Sequence, residues 1–224
     1  MKSAKISHEG NPNIGLFMFC NDKFCLLGKG FREEQKDDVQ KSMAVPVYTC
    51  TVLGSNLVGI FIAGNNKAIV VPEQIEEHEF EHIKKICDEH DVQVSKIKSN
   101  LNALGNNIVC NDQGALANPE FSEDAVNHIE KALEVNVQRS TIASFSNVGS
   151  LVRTTNEGAL ISEDALPEEK KILEKTLKCE AVSGTINNSR YISSGLVVNS
   201  NGCIISEDLF GGEVLYIKDA FFNA

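Results

Sequence analysis

The chain has 224 residues, a length that allows one large domain or two small ones. Its formal net charge is −10, which argues against a protein that holds nucleic acid mainly by neutralising phosphates, since that mode requires clustered Lys and Arg. An acidic surface instead suits a basic protein partner. Residues 1–10 contain no apolar signal core, and no apolar run is long enough to cross a membrane. We therefore expect a soluble, intracellular protein that binds neither free nucleic acid nor membranes. We also expect it to be cytoplasmic and monomeric.

A glycine followed six positions later by a polar residue recurs along the chain, with glycine spacings of 44, 46 and 44. The glycines are Gly15, Gly59, Gly105 and Gly149, and the polar residues are Asn21, Asn65, Asn111, Thr155 and Asn199. Ser193 takes the glycine position in the fifth repeat. Thr51, Thr141 and Thr185 keep the same phase, eight residues before the glycine position. A repeat of this length indicates stacked or ring-arranged units, each too small to bury its own apolar face.

The predicted elements form a β-hairpin and a helix in every unit. In chain order, hairpins are predicted at 15–27, 59–71, 107–117, 150–161 and 196–205, and helices near 32–43, 74–90, 123–134, 167–178 and 212–222. In the third unit a strand from Val92 to Ile97 precedes the hairpin, and Ser122 is the expected helix N-cap. The units cover approximately 1–45, 46–91, 92–135, 136–179 and 180–224. Because the end units are as apolar as the middle ones, we predict a single domain of five α/β blades closed into a ring.

The seven cysteines are scattered and include no CxxC pair. We expect reduced, mostly buried thiols, and neither a disulfide framework nor a zinc site. His78 and His82 have metal-ligand spacing on a helix but lack a third nearby ligand, so no metal or cofactor is expected. The acidic runs Asp37-Asp38, Glu76-Glu77 and Glu168-Glu169 are interpreted as solvated helix surface.

Several segments carry a family resemblance. They are Leu101-Asn102-Ala103-Leu104-Gly105-Asn106 with Val109-Cys110-Asn111-Asp112, the Val58-Gly59 turn with Val70-Val71-Pro72, Val148-Gly149-Ser150, and Ser183-Gly184-Thr185-Ile186-Asn187. Over essentially its whole length the chain resembles archaeal and eukaryotic translation initiation factor 6. The resemblance implies the pentein fold, a five-fold pseudosymmetric α/β propeller.

The resemblance also implies a function. Such a factor would bind the intersubunit face of the large ribosomal subunit, at a basic ribosomal protein near the sarcin-ricin loop, and block joining of the small subunit. Release by a translational GTPase with its cofactor is implied as well, and a nucleolar location if the source is eukaryotic. Eukaryotic members carry a Ser-rich tail, whereas this sequence stops at Asn223-Ala224, so tail phosphorylation is not expected. Family members often have a basic residue at Ile60 and an aromatic one at Leu151, so we expect a more apolar docking surface.

The segments just after each repeat glycine should lie together on one face of such a ring. The predicted binding residues are Leu16, Ile60, Asn106, Ser150, Leu151, Tyr191 and Ile192. One interpretation is a protein contact with an apolar centre and Asn106 as its hydrogen-bonding element. The alternative is that the apolar members fill the axis as core.

The fold also allows an enzyme. Pentein deiminases and amidinotransferases use a Cys nucleophile with His and acidic partners, so a guanidine- or amidine-modifying enzyme is the alternative function. Cys203 lies in the last hairpin, but the histidines other than His8 lie on predicted outer helices. A base there would not reach a thiol at the axis, so we do not expect an enzyme.

Overall fold

The computed structural model describes residues 2–222 and contains five three-stranded β-sheets with helices between them. This repeated α/β architecture confirms the predicted pentein-like fold class. Asn223 and Ala224, on which the expectation of a missing tail depends, lie outside the described residues, as does Met1.

Each sheet consists of an antiparallel hairpin and a third strand that runs parallel to the second hairpin strand. In order, the sheets are β2 (Met18–Cys20), β3 (Cys25–Leu27) and β4 (Val47–Thr49); β5 (Ala63–Gly64), β6 (Ala68–Pro72) and β7 (Gln93–Ile97); β8 (Ile108–Cys110), β9 (Ala115–Ala117) and β10 (Val137–Arg139); β11 (Val152–Thr154), β12 (Gly158–Ser162) and β13 (Glu180–Gly184); and β14 (Leu196–Val198), β15 (Gly202–Ser206) and β1 (Lys2–Ile6).

The N-terminal strand β1 completes the fifth sheet, with Lys2 paired beside Gly202 on β15. In the other four sheets the third strand follows the helix, and it returns to the hairpin that precedes that helix. The divisions at 45, 91, 135 and 179 therefore separate each third strand from its sheet, so every sheet draws strands from two repeat units. Below, a blade means one sheet with the long helix that follows its hairpin.

The long helices lie outside the sheets. They are α1 (Glu33–Met43), α3 (Glu77–Glu89), α5 (Glu123–Leu133), α7 (Pro167–Leu177) and α9 (Glu213–Phe221), which confirms the five helices predicted from the sequence. The Ser122 hydroxyl accepts a hydrogen bond from the Ala125 N–H at 3.2 Å, as expected of an N-cap. Buried Val126, Ile129 and Leu133 form the inner face of α5 and pack among the blade cores.

Five short turns lie at the centre of the molecule. They are a 3-10 turn at Ile14–Leu16 and the one-turn helices α2 (Val58–Phe61), α4 (Leu104–Asn107), α6 (Val148–Leu151) and α8 (Ile192–Gly195). Each of these central turns contacts the next one, and α8 contacts the turn at Ile14–Leu16. The contacts thus run in a cycle around a central axis.

The polar residues of the repeat connect neighbouring blades. The amide of Asn21 donates to the Asn65 carbonyl at 2.9 Å, and that of Asn65 donates to the Asn111 carbonyl at 3.2 Å. The Asn111 amide donates in the same way to the Thr155 carbonyl, and the Asn199 amide donates to the Asn21 carbonyl. Asn65, Asn111 and Asn199 each also donate to the last carbonyl of a long helix. The recurring amide therefore holds both the next blade and a helix end.

The junction between the fourth and fifth blades uses different side chains, because Thr155 has no amide to donate. There the Arg153 Nε donates to the Leu196 carbonyl at 2.9 Å, and the Ser193 hydroxyl donates to the carbonyls of Gly149 and Val152. Burial lowers the pKa of Arg153 to about 10, so its guanidinium remains charged at neutral pH. Arg153 and Ser193 thus supply hydrogen bonds between the fourth and fifth blades where Thr155 provides none.

The cysteine prediction is wrong for one pair. Cys20 and Cys25 form a disulfide across the β2–β3 hairpin, where they are directly paired with Cα atoms 4.2 Å apart. This short distance lets the two thiols meet without backbone movement. The other cysteines are free: Cys50, Cys87, Cys110, Cys179 and Cys203.

Candidate functional site

The topology gives the molecule two distinct ends along the axis. Strand β8 begins directly after α4 and runs to Asn111, β9 returns, and α5 then runs back until its last carbonyl meets the Asn65 amide. The central turns, the loops before them and the N-termini of the long helices therefore share one end, which we call the glycine face. The hairpin turns with Asn21, Asn65, Asn111, Thr155 and Asn199 form the asparagine face.

Close backbone contacts explain the repeat glycines. A Cβ on Gly59 would overlap the Gly15 carbonyl oxygen, one on Gly105 that of Gly59, and one on Gly149 that of Gly105. A Cβ on Gly15 would overlap the carbonyl of Ser193, so the contacts return to their start. None of the four adopts a positive φ. Close backbone approach, and not a left-handed backbone, therefore explains why these positions are glycine.

The predicted binding residues do lie in or beside the central turns, but they differ in exposure. Leu16, Ile60 and Asn106 are partly exposed and Tyr191 is 41% exposed, whereas Ser150 is buried, with 8% of its surface exposed. Asn106 has no side-chain hydrogen-bond partner among residues 2–222, so its amide is free to bind another molecule.

Leu151 and Ile192 are fully buried, so the expectation that they contribute to an exposed apolar surface is wrong. Leu151 packs with Val109 and Leu116 of the third sheet in a core formed by the third and fourth blades, and Ile192 packs in a core with Leu196 and Ile217. Both belong to one-turn helices whose apolar residues point inward. For these two residues, the core interpretation is the correct one.

Sequence reasoning missed three exposed or partly exposed residues on this face. Ser194 is the true equivalent of Ser150, 44 positions later, and the repeat spacing could have identified it. Phe145 is 39% exposed in the loop before α6. Arg190 stacks over its ring at 5.5 Å and pairs with Asp164 at 3.2 Å. Together with Tyr191, these residues give the fourth and fifth blades an aromatic surface.

Buried carboxylates hold the loops of the glycine face. In the fourth blade, Glu169 accepts hydrogen bonds from the N–H groups of Ala143 and Ser144 and from the Thr141 hydroxyl. Glu213 does the same for Asn187, Asn188 and Thr185, and Glu79 accepts from Leu53 and Gly54. We call this arrangement the glutamate clamp. It explains the recurrence of Thr51, Thr141 and Thr185.

The clamp corrects the interpretation of one acidic run, because Glu169 is 6% exposed and not part of a solvated surface. Burial by itself would raise the pKa of Glu169, but the hydrogen bonds from Thr141, Leu166, Ser144 and Ala143 outweigh it and lower the pKa. The pKa of Glu79 is lowered for the same reasons. Both carboxylates are therefore ionised at neutral pH.

Exposed acidic residues surround the glycine face in blades two to five. They are Glu73, Glu76, Glu77, Glu120, Glu123, Asp124, Glu163, Asp164, Glu168, Glu207 and Asp208. Most lie in the segment before a long helix or in its first turn, where the helix dipole stabilises negative charge. The rim of this face is therefore acidic.

The axis offers little room for a substrate. The cavity along it has a volume of about 60 Å³ and is lined by residues that include Phe19, Val109 and Arg153. Ligand sites usually occupy about 300–1,000 Å³. Burial also raises the pKa of the Cys203 thiol to about 12, which leaves it protonated at neutral pH.

Four of the five histidines have partners away from the axis, and the fifth, His128, is exposed on the outer helix α5. His8 contacts the Lys29 carbonyl, His82 the Thr49 carbonyl, His90 the Tyr48 hydroxyl, and His78 the Glu76 carboxylate. Across residues 2–222, no group of three or more His, Cys, Asp or Glu side chains is placed to hold a metal ion. Nor is any helix in this range long and apolar enough to span a membrane.

The sequence of residues 3–220 matches the model of the eIF-6 family. The chain belongs to the eIF-6 family. Proteins named translation initiation factor 6 are similar to it: that of Thermococcus kodakarensis is 37% identical over 154 residues, that of Pyrococcus furiosus 34% over 152, and that of Saccharolobus solfataricus 33% over 152. Each alignment covers 67% of this chain and 67% of the relative. Membership of the eIF-6 family supports a role in translation initiation.

Proposed function

We propose that this protein binds the intersubunit face of the large ribosomal subunit through its glycine face, and that it thereby prevents premature joining of the small subunit. The observation that carries the proposal is the eIF-6 family match over residues 3–220, which includes all five sheets. A blocking factor acts by occupancy, so it needs a stable contact surface and no catalytic centre.

The charge of the glycine face supports this orientation. Exposed carboxylates such as Glu120, Glu163 and Glu207 lie on its rim, and the chain as a whole carries a net charge of −10. A basic ribosomal protein, such as one near the sarcin-ricin loop, is the complementary partner. Long-range attraction between opposite charges raises the rate of association more than the affinity.

The centre of the face supplies the groups that a stable contact needs. Leu16 and Ile60 offer partly exposed apolar surface, and Asn106 offers a free amide donor and acceptor. Tyr191 and Phe145 add aromatic surface, which is enriched at protein interfaces. Leu151 and Ile192 contribute indirectly, because their burial fixes the turns that carry Ser150 and Tyr191.

The release step, the cellular location and the oligomeric state are also proposed from the family resemblance. Release requires an additional factor, a translational GTPase with its cofactor, and the protein acts in the cytoplasm as a monomer. The alternative, a Cys-dependent amidine-modifying enzyme, has no supporting observation, because the Cys203 thiol is protonated and His8, His82 and His90 form hydrogen bonds with other groups.

Co-sedimentation with purified large subunits tests the proposed face. We expect Glu163→Lys/Glu207→Lys to weaken binding, because both charges lie on the rim of the glycine face. Glu157→Lys is the matched control, since Glu157 is an exposed residue of the fourth blade on the asparagine face. Wild-type binding by the double variant together with loss of binding by Glu157→Lys would place the contact on the opposite face.

A further inference from the structure

The third blade lacks the glutamate clamp. The position of Glu169 is occupied there by Ala125, 44 residues earlier, and the position of Thr141 is occupied by Ile97. The carboxylate and the threonine of the clamp are therefore both replaced at this one position around the axis. The first blade keeps a related contact, since the Gln35 amide donates to the Ser7 carbonyl at 2.8 Å.

The loop before α4 differs accordingly. In the other blades this loop has two consecutive residues with positive φ, as at Ala143 and Ser144, enclosed by a backbone bridge such as Ile142–Phe145. Ser99 and Asn100 occupy the equivalent positions, and neither has a positive φ. No carboxylate is present to accept their N–H groups in a tight turn. The loop therefore adopts another path.

A groove of about 730 Å³ lies where the clamp is missing. Its walls are the loop around Leu101, the segment at Glu73 from the second blade, and the start of α5 with Glu120 and Asp124. Buried Ala125 is among the residues that line it. This volume falls within the range of about 300–1,000 Å³ that is usual for ligand sites. The cavity along the axis and two cavities beside the helices α5 and α9 are smaller.

The groove carries unpaired negative charge. Glu73, Glu120 and Asp124 line it, and none of them forms an ion pair with another residue of the described chain. Acidic neighbours outside it are paired: Glu123 with Arg139 at 3.0 Å and Glu77 with Lys96 at 2.7 Å. Lys98 is the only Lys or Arg in the lining, which also includes His128. A cationic ligand is favoured over an anion.

The lining also suits a long side chain with a charged end. Partly exposed Leu101 offers apolar surface to an aliphatic stem, and the carboxylates in the lining can pair with its charged end. Ser99, Asn100 and Ser122 can form hydrogen bonds with an extended backbone. We propose that this groove binds an extended, Lys- or Arg-bearing peptide segment of a protein partner. The site lies on the rim of the glycine face, apart from the central turns, and does not depend on large-subunit binding.

A direct test uses the fluorescein-labelled peptide Gly-Lys-Gly-Arg-Gly-Lys-Gly, titrated with the full chain at low ionic strength, with amide NMR shifts mapping the contact. We expect shifts confined to Lys98–Leu101, Glu73–Gln74 and the first turn of α5, and an affinity that falls as salt is added. Shifts centred on the central turns or the asparagine face would overturn the proposal.

Substitution of Ala125 tests the shape of the groove independently of its negative charge. Ala125→Glu restores the side chain found in three other blades and fills the groove, so we expect peptide affinity to fall about tenfold although a negative charge is added. Asn127→Glu adds the same charge on the exposed side of α5 and should leave the affinity within about twofold. Unchanged or tighter binding by a folded Ala125→Glu variant would contradict the proposal.

A second pair of variants tests the carboxylates without altering the shape. Glu73→Gln/Asp124→Asn should weaken peptide binding about fivefold. The control Glu163→Gln/Glu168→Gln removes two charges at the equivalent positions of the fourth blade and should have no comparable effect. Equal losses in both would mean that overall charge, and not the groove, attracts the peptide. Because peptide binding is measured without ribosomes, a failure of the large-subunit proposal would not affect this result.

Discussion

Asn111→Ala tests the account of how the blades are joined. The Asn111 amide donates to the Thr155 carbonyl at 3.0 Å and to the Leu177 carbonyl at 2.9 Å. The side-chain oxygen of Asn111 accepts hydrogen bonds from the N–H groups of Gln113 and Gly114. The residue is 4% exposed, so water cannot easily replace these partners.

The expected cost follows from this count. Alanine removes all four hydrogen bonds, and at about 1 kcal/mol for each the free energy of unfolding should fall by roughly 4 kcal/mol. Thr155→Ala is the natural control, because the Thr155 hydroxyl accepts only the Glu157 N–H, at 3.2 Å. That variant should lose about 1 kcal/mol.

Equilibrium urea unfolding, followed by circular dichroism, measures both free energies. The m-value should stay near that of the wild-type protein, because the folded state remains compact. If Asn111→Ala cost no more than Thr155→Ala, the recurring amides would not be what joins the blades.

Three further predictions concern individual residues. Gly105→Val should lower the free energy of unfolding by about 3 kcal/mol or more, because its Cβ would overlap the carbonyls of Gly59 and Ile62; an unchanged melting temperature would refute this. Leu151→Asp should unfold the protein, since Leu151 is fully buried, and a folded variant would contradict that burial. Asn106→Asp should instead stay folded, as judged by circular dichroism, and should weaken large-subunit binding by about 2 kcal/mol. The stability lost in Glu169→Gln should be greatest at neutral pH. Because the pKa of Glu169 is lowered in the folded state, the difference from wild type should shrink as pH falls below the ordinary carboxyl pKa and through the folded one. Urea unfolding across pH measures it, with exposed Glu168→Gln as the control, and a pH-independent difference would exclude the clamp.

The fold was largely predictable because the local signals agree with one another. Ser122 identified a helix start, and the fixed interval from Gly15 to Asn21, repeated along the chain, identified the hairpins. The pairing of β1 with β15 was not predicted, because periodicity within a unit does not reveal which sheet its first strand joins.

The candidate site was less predictable because exposure depends on packing. At the start of a one-turn helix, adjacent residues point in different directions, so exposed Tyr191 and buried Ile192 could not be separated by sequence position alone. The glutamate clamp escaped notice because Glu169 follows Glu168 in what looks like a solvated run. The spacing of 44 from Glu169 to Glu213, shared with the threonines, was the available signal.

The disulfide was missed for a related reason. Scattered cysteines in a chain expected to be cytoplasmic favour free thiols. The strand register that places Cys20 opposite Cys25 is known only from the structure.

The central claim is that the glycine face contacts the large ribosomal subunit. A cryo-EM reconstruction of the subunit with this protein bound tests it most directly. The account predicts that the central turns carrying Leu16, Ile60 and Asn106 face the subunit, with the acidic rim near a basic protein and the asparagine face directed to solvent. A complex in which the asparagine face or the outer helices contact the subunit would contradict it.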